Sequence, residues 1–191
     1  MKTVAVVTVG AVAAEVLAEI ELCLGRHFGL ESQRLAPLGE PEFAWEPARQ
    51  QYSVIAIMRE LLRFCPPQAV RLLALTEKDL FIPMLSFVFG QAQLNGTLAI
   101  VSLARLRQEF YQLPANPPLL LARACKETVH EMGHTFGLTH CLERKCPMSL
   151  STTIQQVDGK GENFCANCTI VLRESLQLLR SPDMLRTEEQ P

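Results

Sequence analysis

The chain has 191 residues, of which 48% are hydrophobic and 20% charged, and its net charge at pH 7 is −2. This composition is globular and excludes a disordered or collagen-like chain. The small negative charge, without a run of Lys and Arg, argues against a nucleic-acid-binding protein, and no apolar run approaches the ~18 residues that a membrane span requires.

The hydropathy pattern of the first 77 residues predicts strands and helices in alternation. Pro66 and Pro67 end the second helix, because proline cannot continue a helix and also restricts the residue before it. Between the first and second helices, a segment with three prolines and three glutamates predicts a loop. The predicted elements are a buried strand at 3–9, an amphipathic helix at 13–29, an extended segment at 31–38, the loop at 37–48, a helix at 50–65 and a strand at 69–77.

The first 21 residues have an alternative interpretation as a secretory signal peptide, since a lysine precedes an apolar run. The run is short, however, its basic region is one lysine, and Glu15, Glu19 and Glu21 continue the helical pattern. We therefore predict that this segment belongs to the fold and that the protein is cytoplasmic.

The second half of the chain begins with Asn95-Gly96, the strongest hairpin signal in the sequence. It predicts antiparallel strands at 84–91 and 97–103. A long helix at 117–137 follows, with proline at its start and glycine at its end, and the last helix spans 166–180 before a frayed tail at 181–191. The β-α-β-α-β order predicts an α/β fold with a mainly parallel twisted sheet and one antiparallel strand.

Three of the four histidines fall within eleven residues, in the stretch HEMGHTFGLTH. His130 and His134 lie one helical turn apart on the same face, so both imidazoles can bind one zinc ion. Gly137 can end the helix in a left-handed turn that brings His140 round as a third ligand. Three protein ligands leave one position open for water, which is typical of a catalytic zinc site. The alternative is that the histidines are ordinary surface residues.

Glu131 neighbours the first of these histidines and is predicted to be the general base. A carboxylate that reaches a metal-activated water can take its proton as the water attacks a polarised carbonyl. Alternatively, Glu131 is a solvated helix charge. A lone H-E-x-x-H occurs in many unrelated chains, but the extension to H-E-x-x-H-x-x-G-x-x-H makes coincidence improbable.

Seven cysteines are an odd number for a pure disulfide framework. Three of them, Cys23, Cys65 and Cys125, occur singly in apolar helical surroundings and are predicted to be buried hydrophobic residues without chemistry. The other four form a C-x4-C…C-x2-C set that is typical of a closed tetrahedral, structural zinc site. Two disulfides or a thioredoxin-like C-x-x-C are the alternatives. The four members of the set are Cys141, Cys146, Cys165 and Cys168.

HEMGHTFGLTH resembles the zinc-binding sequence of the metzincin metallopeptidases, and the cysteines that follow resemble the archaemetzincin branch. The resemblance covers residues 130–168. It implies a catalytic zinc with Glu131 as general base and Met148 in the methionine turn beneath the metal. Sixteen residues separate Met148 from Cys165, one fewer than in the family pattern, which alters the loop rather than the ligands. It further implies two zinc ions per chain, a catalytic one on His130, His134 and His140 and a structural one on Cys141, Cys146, Cys165 and Cys168.

The sequence therefore predicts a zinc-dependent metallopeptidase with a metzincin-like α/β fold, an active-site helix below the sheet and a small C-terminal helical part held by zinc. We expect one domain, 1–191, with an N-terminal subdomain at 1–137 and a C-terminal subdomain at 138–191.

The strand before the hairpin is expected at the sheet edge, where it could pair with an extended peptide, although an interior strand is the alternative. The predicted protein is a monomer that acts on peptides or proteins and binds neither nucleic acid nor membrane. A catalytically silent zinc-binding protein and a non-peptidase zinc amidohydrolase are the alternative functions.

Overall fold

The computed structural model describes residues 2–180, and the predicted frayed tail at 181–191 lies outside the described residues. These residues form five α-helices, of which the first two lie between strands and the last three follow the final strand. The last helix coincides with its predicted range, and the longest helix begins with two prolines, as predicted. The helices are α1 (Ala14–Phe28), α2 (Val54–Leu61), α3 (Pro117–Thr135), α4 (Ile154–Gly159) and α5 (Ala166–Arg180).

The main sheet has five strands in the order β2-β1-β5-β8-β7. The first four pair in parallel, whereas β7 pairs antiparallel with β8 at the edge. This arrangement confirms the predicted mainly parallel sheet with one antiparallel edge strand. Its strands are β1 (Thr3–Val9), β2 (Glu31–Arg34), β5 (Ala69–Thr76), β7 (Gly90–Ala92) and β8 (Leu98–Ser102), and a second small sheet contains β3 (Trp45–Glu46), β4 (Gln51–Ser53) and β6 (Leu80–Phe81).

Side chains of the main sheet alternate between two apolar layers, as the two-residue period of a strand requires. Val4 and Val6 of β1 face α1 and α3, whereas Ala5 and Val7 face α2. The layer on the α1 and α3 side continues into the last third of the chain, since Met148 and residues of α4 and α5 pack in the same core. One continuous core thus joins the parts of the chain before and after α3.

Two predicted element boundaries are wrong. The strand expected at 84–91 is only β7, because residues 82–89 lie mostly outside the ladder and border a cleft. The helix expected at 50–65 begins at Val54, since residues 51–53 form β4, and Ser53 then caps the helix by accepting a hydrogen bond from the Ala56 amide. Among residues 2–180, no helix is long and apolar enough to cross a bilayer.

Cys23 of α1 and Cys125 of α3 form a disulfide, with their Cα atoms 5.9 Å apart. The prediction that both are single buried residues without chemistry is therefore wrong. The two positions are 102 residues apart in the chain, so no local sequence pattern could reveal the pairing. Cys65 is a free thiol, but it is half-buried rather than buried as predicted. The disulfide ties the first helix of the fold covalently to the helix that carries the histidines.

Removing this disulfide with Cys23→Ala and Cys125→Ala together is expected to lower the free energy of unfolding by roughly 4 kcal/mol, because a cross-link closing a loop of about 100 residues restricts the unfolded chain strongly. Urea unfolding of the oxidised, zinc-loaded proteins measures the difference. Cys65→Ala is the matched control, since it removes a free thiol, and it should unfold close to the parent midpoint. Equal midpoints for the double variant and the parent would contradict the prediction.

Candidate metal centre

The helix α3 is defined at both ends by local sequence. Asn116 caps its start by accepting a hydrogen bond from the Leu119 amide at 3.1 Å, and two prolines occupy the first turn, where no backbone donor is needed. At the other end, Gly137 has a φ of 86°, a conformation that glycine adopts without strain. The hairpin between β7 and β8 is anchored there, because the Asn95 amide donates to the His134 carbonyl at 2.8 Å. The end of α3 is thus held against the sheet edge.

Beyond Gly137 the chain turns back, and the structure brings the three predicted histidines together. Their ring centroids are 4.6, 5.3 and 5.0 Å apart in pairs, and one nitrogen of each lies within 4.8 Å of the others. His130 is buried, His134 is half-buried and His140 is exposed. The Nε2 atoms of His130 and His134 lie 3.2 Å apart, which fits two nitrogens of a tetrahedral shell with bonds of about 2.05 Å.

Backbone carbonyls fix the orientation of the two helical imidazoles. Pro147 O lies 2.8 Å from Nδ1 of His130, and Leu138 O lies 2.7 Å from Nδ1 of His134. An Nδ1–H that donates to a carbonyl leaves the Nε2 lone pair free for a metal. Burial lowers the pKa of His130 well below its usual value, and the charge of Lys160 adds to the effect. Both imidazoles are therefore neutral and are oriented so that Nε2 can bind a metal ion.

Glu131 is buried at the sheet edge, where its side chain lies against Gly90 of β7. A Cβ atom placed on Gly90 would lie 2.6 Å from Cγ of Glu131 and 2.7 Å from both Oε1 of Glu131 and the Ile100 carbonyl. Burial raises the pKa of Glu131 well above its usual range, and the nearby charge of Glu127 raises it further. A carboxylate in this environment is a strong proton acceptor.

Met148 is fully buried, and its side chain packs against Gly133 of α3. A side chain at Gly133 would collide with the Met148 sulfur, so the missing Cβ lets the two segments approach closely. The residue before Met148 supplies the carbonyl that orients His130. The segment around Met148 therefore both supports and orients the histidine cluster.

The structure also brings together the four cysteines of the second predicted site, one sulfur of each lying within 4.8 Å of the others. Sγ of Cys141 and Sγ of Cys165 are 3.7 Å apart, close to the separation of about 3.8 Å between two thiolates on one tetrahedral zinc with bonds of ~2.3 Å. All four are free thiols, against the alternative of two disulfides. The cluster joins the segment after His140 to the first turn of α5. Its members are Cys141, Cys146, Cys165 and Cys168.

The histidines open into a cleft of about 340 Å³ between the sheet edge and the segment after Met148. Residues 85–92 form one wall and residues 150–152 form part of another, and Glu131 lies at the base with the histidines. The edge strand β7 thus borders the cleft directly. An extended chain lying in the cleft could pair with the free side of this strand.

The sequence model of peptidase family M54 matches residues 44–174, which include the histidine and cysteine clusters. The chain belongs to this family. An archaemetzincin of Methanopyrus kandleri is 45% identical over 72% of this chain and 74% of its own length. That of Methanocaldococcus jannaschii is 39% identical over 87% of this chain and 90% of its own length.

Solved structures agree with the M54 assignment. The crystal structure of the M. kandleri archaemetzincin has a TM-score of 0.80 at 37% identity and covers 92% of this chain and 96% of its own. The archaemetzincin of Archaeoglobus fulgidus, solved with malonate, has a TM-score of 0.76 at 32% identity and covers 90% and 99%. The prediction of a zinc metallopeptidase resembling the archaemetzincins is confirmed. Neither alternative function is favoured.

Two contacts of this M54 peptidase were not predicted from its sequence. Gly90 belongs to no motif in the sequence, and its contact with Glu131 joins residues far apart in the chain. Nζ of Lys160 also lies 3.3 Å from Oε1 of Glu127, and these two residues are 33 positions apart. The sequence does contain one indication of this pair. Glu127 lies one turn before the first histidine, so its carboxylate falls on the buried side of the helix.

Replacing Gly90 by alanine in the M54 peptidase is expected to reduce kcat by about 100-fold, because it would displace the carboxylate predicted to be the general base, and a displacement of about 1 Å can cost that much. The new methyl group cannot move the Ile100 carbonyl without disturbing the sheet, so the Glu131 carboxylate must shift. Zinc content should not change. Gly25→Ala is the matched control, since a Cβ there meets nothing within 4 Å. Parent kcat in Gly90→Ala would show that Gly90 does not position the carboxylate.

Proposed function

We propose that this peptidase is of the metzincin type and binds its catalytic zinc through His130, His134 and His140. The chemistry of the three donors supports this assignment: neutral imidazoles, two of them oriented by carbonyls, converge with a nitrogen separation that suits one tetrahedral ion. Zinc bound there would polarise the scissile carbonyl and make an attacking water more acidic. This convergence of three imidazoles beside a buried carboxylate is the observation that carries the proposal.

Glu131 performs the proton transfers in the proposed mechanism. Its carboxylate takes a proton from the attacking water and then delivers that proton to the nitrogen of the departing amine. Gly90 leaves the space in which the carboxylate lies, and the buried surroundings favour its protonated form between the two transfers. β7 holds the extended substrate by main-chain hydrogen bonds along its free edge.

In this proposal the four cysteines bind a second zinc ion, which has no part in the reaction. Four thiolates close a tetrahedral shell and leave no position for water. We also propose that the chain is one domain, 1–191, with two subdomains that meet after residue 137. The core shared across α3 supports the single domain.

The monomeric state and the cytoplasmic location stay predictions. A disulfide such as Cys23–Cys125 is uncommon in reducing compartments outside hyperthermophiles. Alkylation of cells before lysis, followed by mass spectrometry of this pair, therefore tests the predicted location together with the disulfide.

Metal content together with activity tests the proposed function. Protein purified without chelator should carry two zinc ions per chain and should hydrolyse peptides. A chelator that removes the less tightly held ion should abolish hydrolysis, because the histidine site supplies three ligands and the cysteine site four, and added zinc should restore it. One zinc per chain, with all four thiols of the cysteine cluster freely titratable, would remove the second site, and full activity in the metal-free protein would overturn the mechanism.

A further inference from the structure

A buried ion pair, outside the proposed reaction, contributes one of its two residues, Glu127, to the lining of the cleft. Nζ of Lys160, the residue that follows α4, lies 3.3 Å from Oε1 of Glu127 on α3. Glu127 is 2% exposed and Lys160 is 4% exposed. Glu127 precedes His130 by three residues, so its side chain lies near the histidine on the same side of α3. The pair therefore borders the catalytic centre.

Docking of α4 on α3 does not account for this pair. Arg123 and Asp158 already join the two helices by a bidentate ion pair with distances of 2.6 and 2.7 Å. Lys126 adds hydrogen bonds to two carbonyls at the end of α4. A fully buried Lys–Glu pair often contributes no more stability than apolar residues of the same size, because both charges lose their hydration. The position of the pair at the cleft thus points to a role in binding.

The lining of the cleft combines apolar side chains with a few polar ones. Phe87, Phe89 and Leu150 supply apolar surface, whereas Glu127 and Ser151 supply polar groups to the same cleft. Oγ of Ser151 is buried and has no hydrogen-bond partner among residues 2–180. Lys160 is the one donor to the Glu127 carboxylate in the described part of the chain, and it reaches only Oε1. The lining of the cleft therefore includes a carboxylate acceptor and an unused hydroxyl.

The charges around the cleft select the kind of side chain that fits. With zinc bound, the zinc ion and Lys160 would supply positive charge, and the Glu127 carboxylate paired with Lys160 would supply negative charge. A lysine or arginine side chain would add a further positive charge beside Lys160 and zinc. An acidic side chain would meet the Glu127 carboxylate. An uncharged group that both donates and accepts hydrogen bonds avoids both kinds of charge repulsion. It can also form hydrogen bonds with the buried polar atoms.

We propose that Glu127, supported by Lys160 and together with Ser151, forms a specificity pocket for an uncharged carboxamide side chain, glutamine or asparagine, next to the scissile bond. The amide nitrogen donates to Glu127, the amide carbonyl accepts from a hydroxyl such as that of Ser151, and the methylene groups lie against the apolar walls. This inference rests on the proposed function, since it places the pocket beside a catalytic zinc.

Zinc-binding hydroxamates test the pocket without requiring turnover. Four probes share one scaffold and differ only in the side chain next to the hydroxamate, which is that of glutamine, methionine, lysine or glutamate. Calorimetry on the zinc-loaded protein gives each affinity. The glutamine probe should bind about 10- to 100-fold more tightly than the methionine probe, because the methionine side chain leaves buried polar groups unpaired. The lysine and glutamate probes should bind more weakly than the glutamine probe.

The double variant Glu127→Met/Lys160→Met tests the residues. It replaces the ion pair by apolar groups of similar size, a change that folded proteins often tolerate. The ratio of glutamine-probe to methionine-probe affinity should fall to one or below. Arg123→Met/Asp158→Met is the matched control, since it removes the neighbouring ion pair between the same helices, and it should keep the parent ratio.

Each result decides the inference. Equal or tighter binding of the methionine, lysine or glutamate probe by the parent protein overturns it, whether or not the double variant folds. A parent-like ratio in a folded double variant also overturns it. Acetohydroxamate has no side chain for the pocket and reports on the zinc alone. If the zinc-loaded parent does not bind acetohydroxamate, the proposed function itself fails and the inference fails with it.

Discussion

Glu131→Gln is expected to lower kcat/KM by about 100- to 10,000-fold, the usual contribution of a general base, while the protein keeps its full zinc content. A neutral amide of the same shape fills the space against Gly90 but cannot take a proton from water. The histidines keep their carbonyl partners, because Pro147 and Leu138 orient them without help from Glu131. Peptide hydrolysis and metal content, measured on the same preparation, test both halves of this expectation.

The matched control for this variant is Glu60→Gln, which makes the same chemical change at a surface residue that pairs with Arg63. It should retain parent activity, because surface ion pairs of this kind contribute little. Parent turnover in Glu131→Gln, on any peptide that the parent cleaves, would eliminate Glu131 as the general base. Loss of zinc from that variant would instead show that Glu131 helps to hold the metal.

Periodic segments of the chain could be predicted from sequence because their burial repeats locally. The strand at 3–9, the helix of the histidines and the last helix each have a regular apolar face, and the structure places them as expected. α4 was not predicted, since its six residues are too few to display a helical period. The strands of the small sheet are only two or three residues long, which is too short to display an alternation of apolar and polar residues.

The site could be predicted to the extent that its residues are consecutive in sequence. His130 and His134 lie four residues apart on one helix, so their spacing indicates a common face, and Glu131 and His140 belong to the same short stretch of sequence. By contrast, the contact of Gly90 with Glu131 and the pairing of Glu127 with Lys160 depend on how β7 and α4 pack against α3. Such contacts follow from the tertiary fold, and the spacing of residues along the chain does not predict them.

The cysteine cluster is expected to determine the affinity of the histidine site as well as its own. His140 is exposed and lies beyond the end of α3, and Cys141 follows it directly. The Cys141 amide donates to the Met148 carbonyl at 2.9 Å, so this segment is tied to the chain beneath the histidines. A zinc ion on the four sulfurs would hold the same segment to α5. Because metal ligands require exact support, loosening this segment should displace His140.

Cys165→Ser is therefore expected to weaken binding of the catalytic zinc by roughly 10- to 100-fold, the usual cost of losing a supporting contact. It should also lower the free energy of unfolding by several kcal/mol, since a structural zinc site contributes on the order of 10 kcal/mol to folding. Competitive chelator titration of the folded variant follows the metal on the histidines, and circular dichroism verifies the fold.

Cys65→Ser is the appropriate control for this variant, because Cys65 is free and belongs to neither metal cluster. Cys23 cannot serve, since its replacement would also break the disulfide to Cys125. Cys168→Ser should repeat the effect of Cys165→Ser, as both residues hold the start of α5. If either variant stays folded and binds the catalytic zinc as tightly as the parent, the two metal sites are independent. His140 would then owe its position to the turn at Gly137 and to the carbonyl contacts of that turn alone.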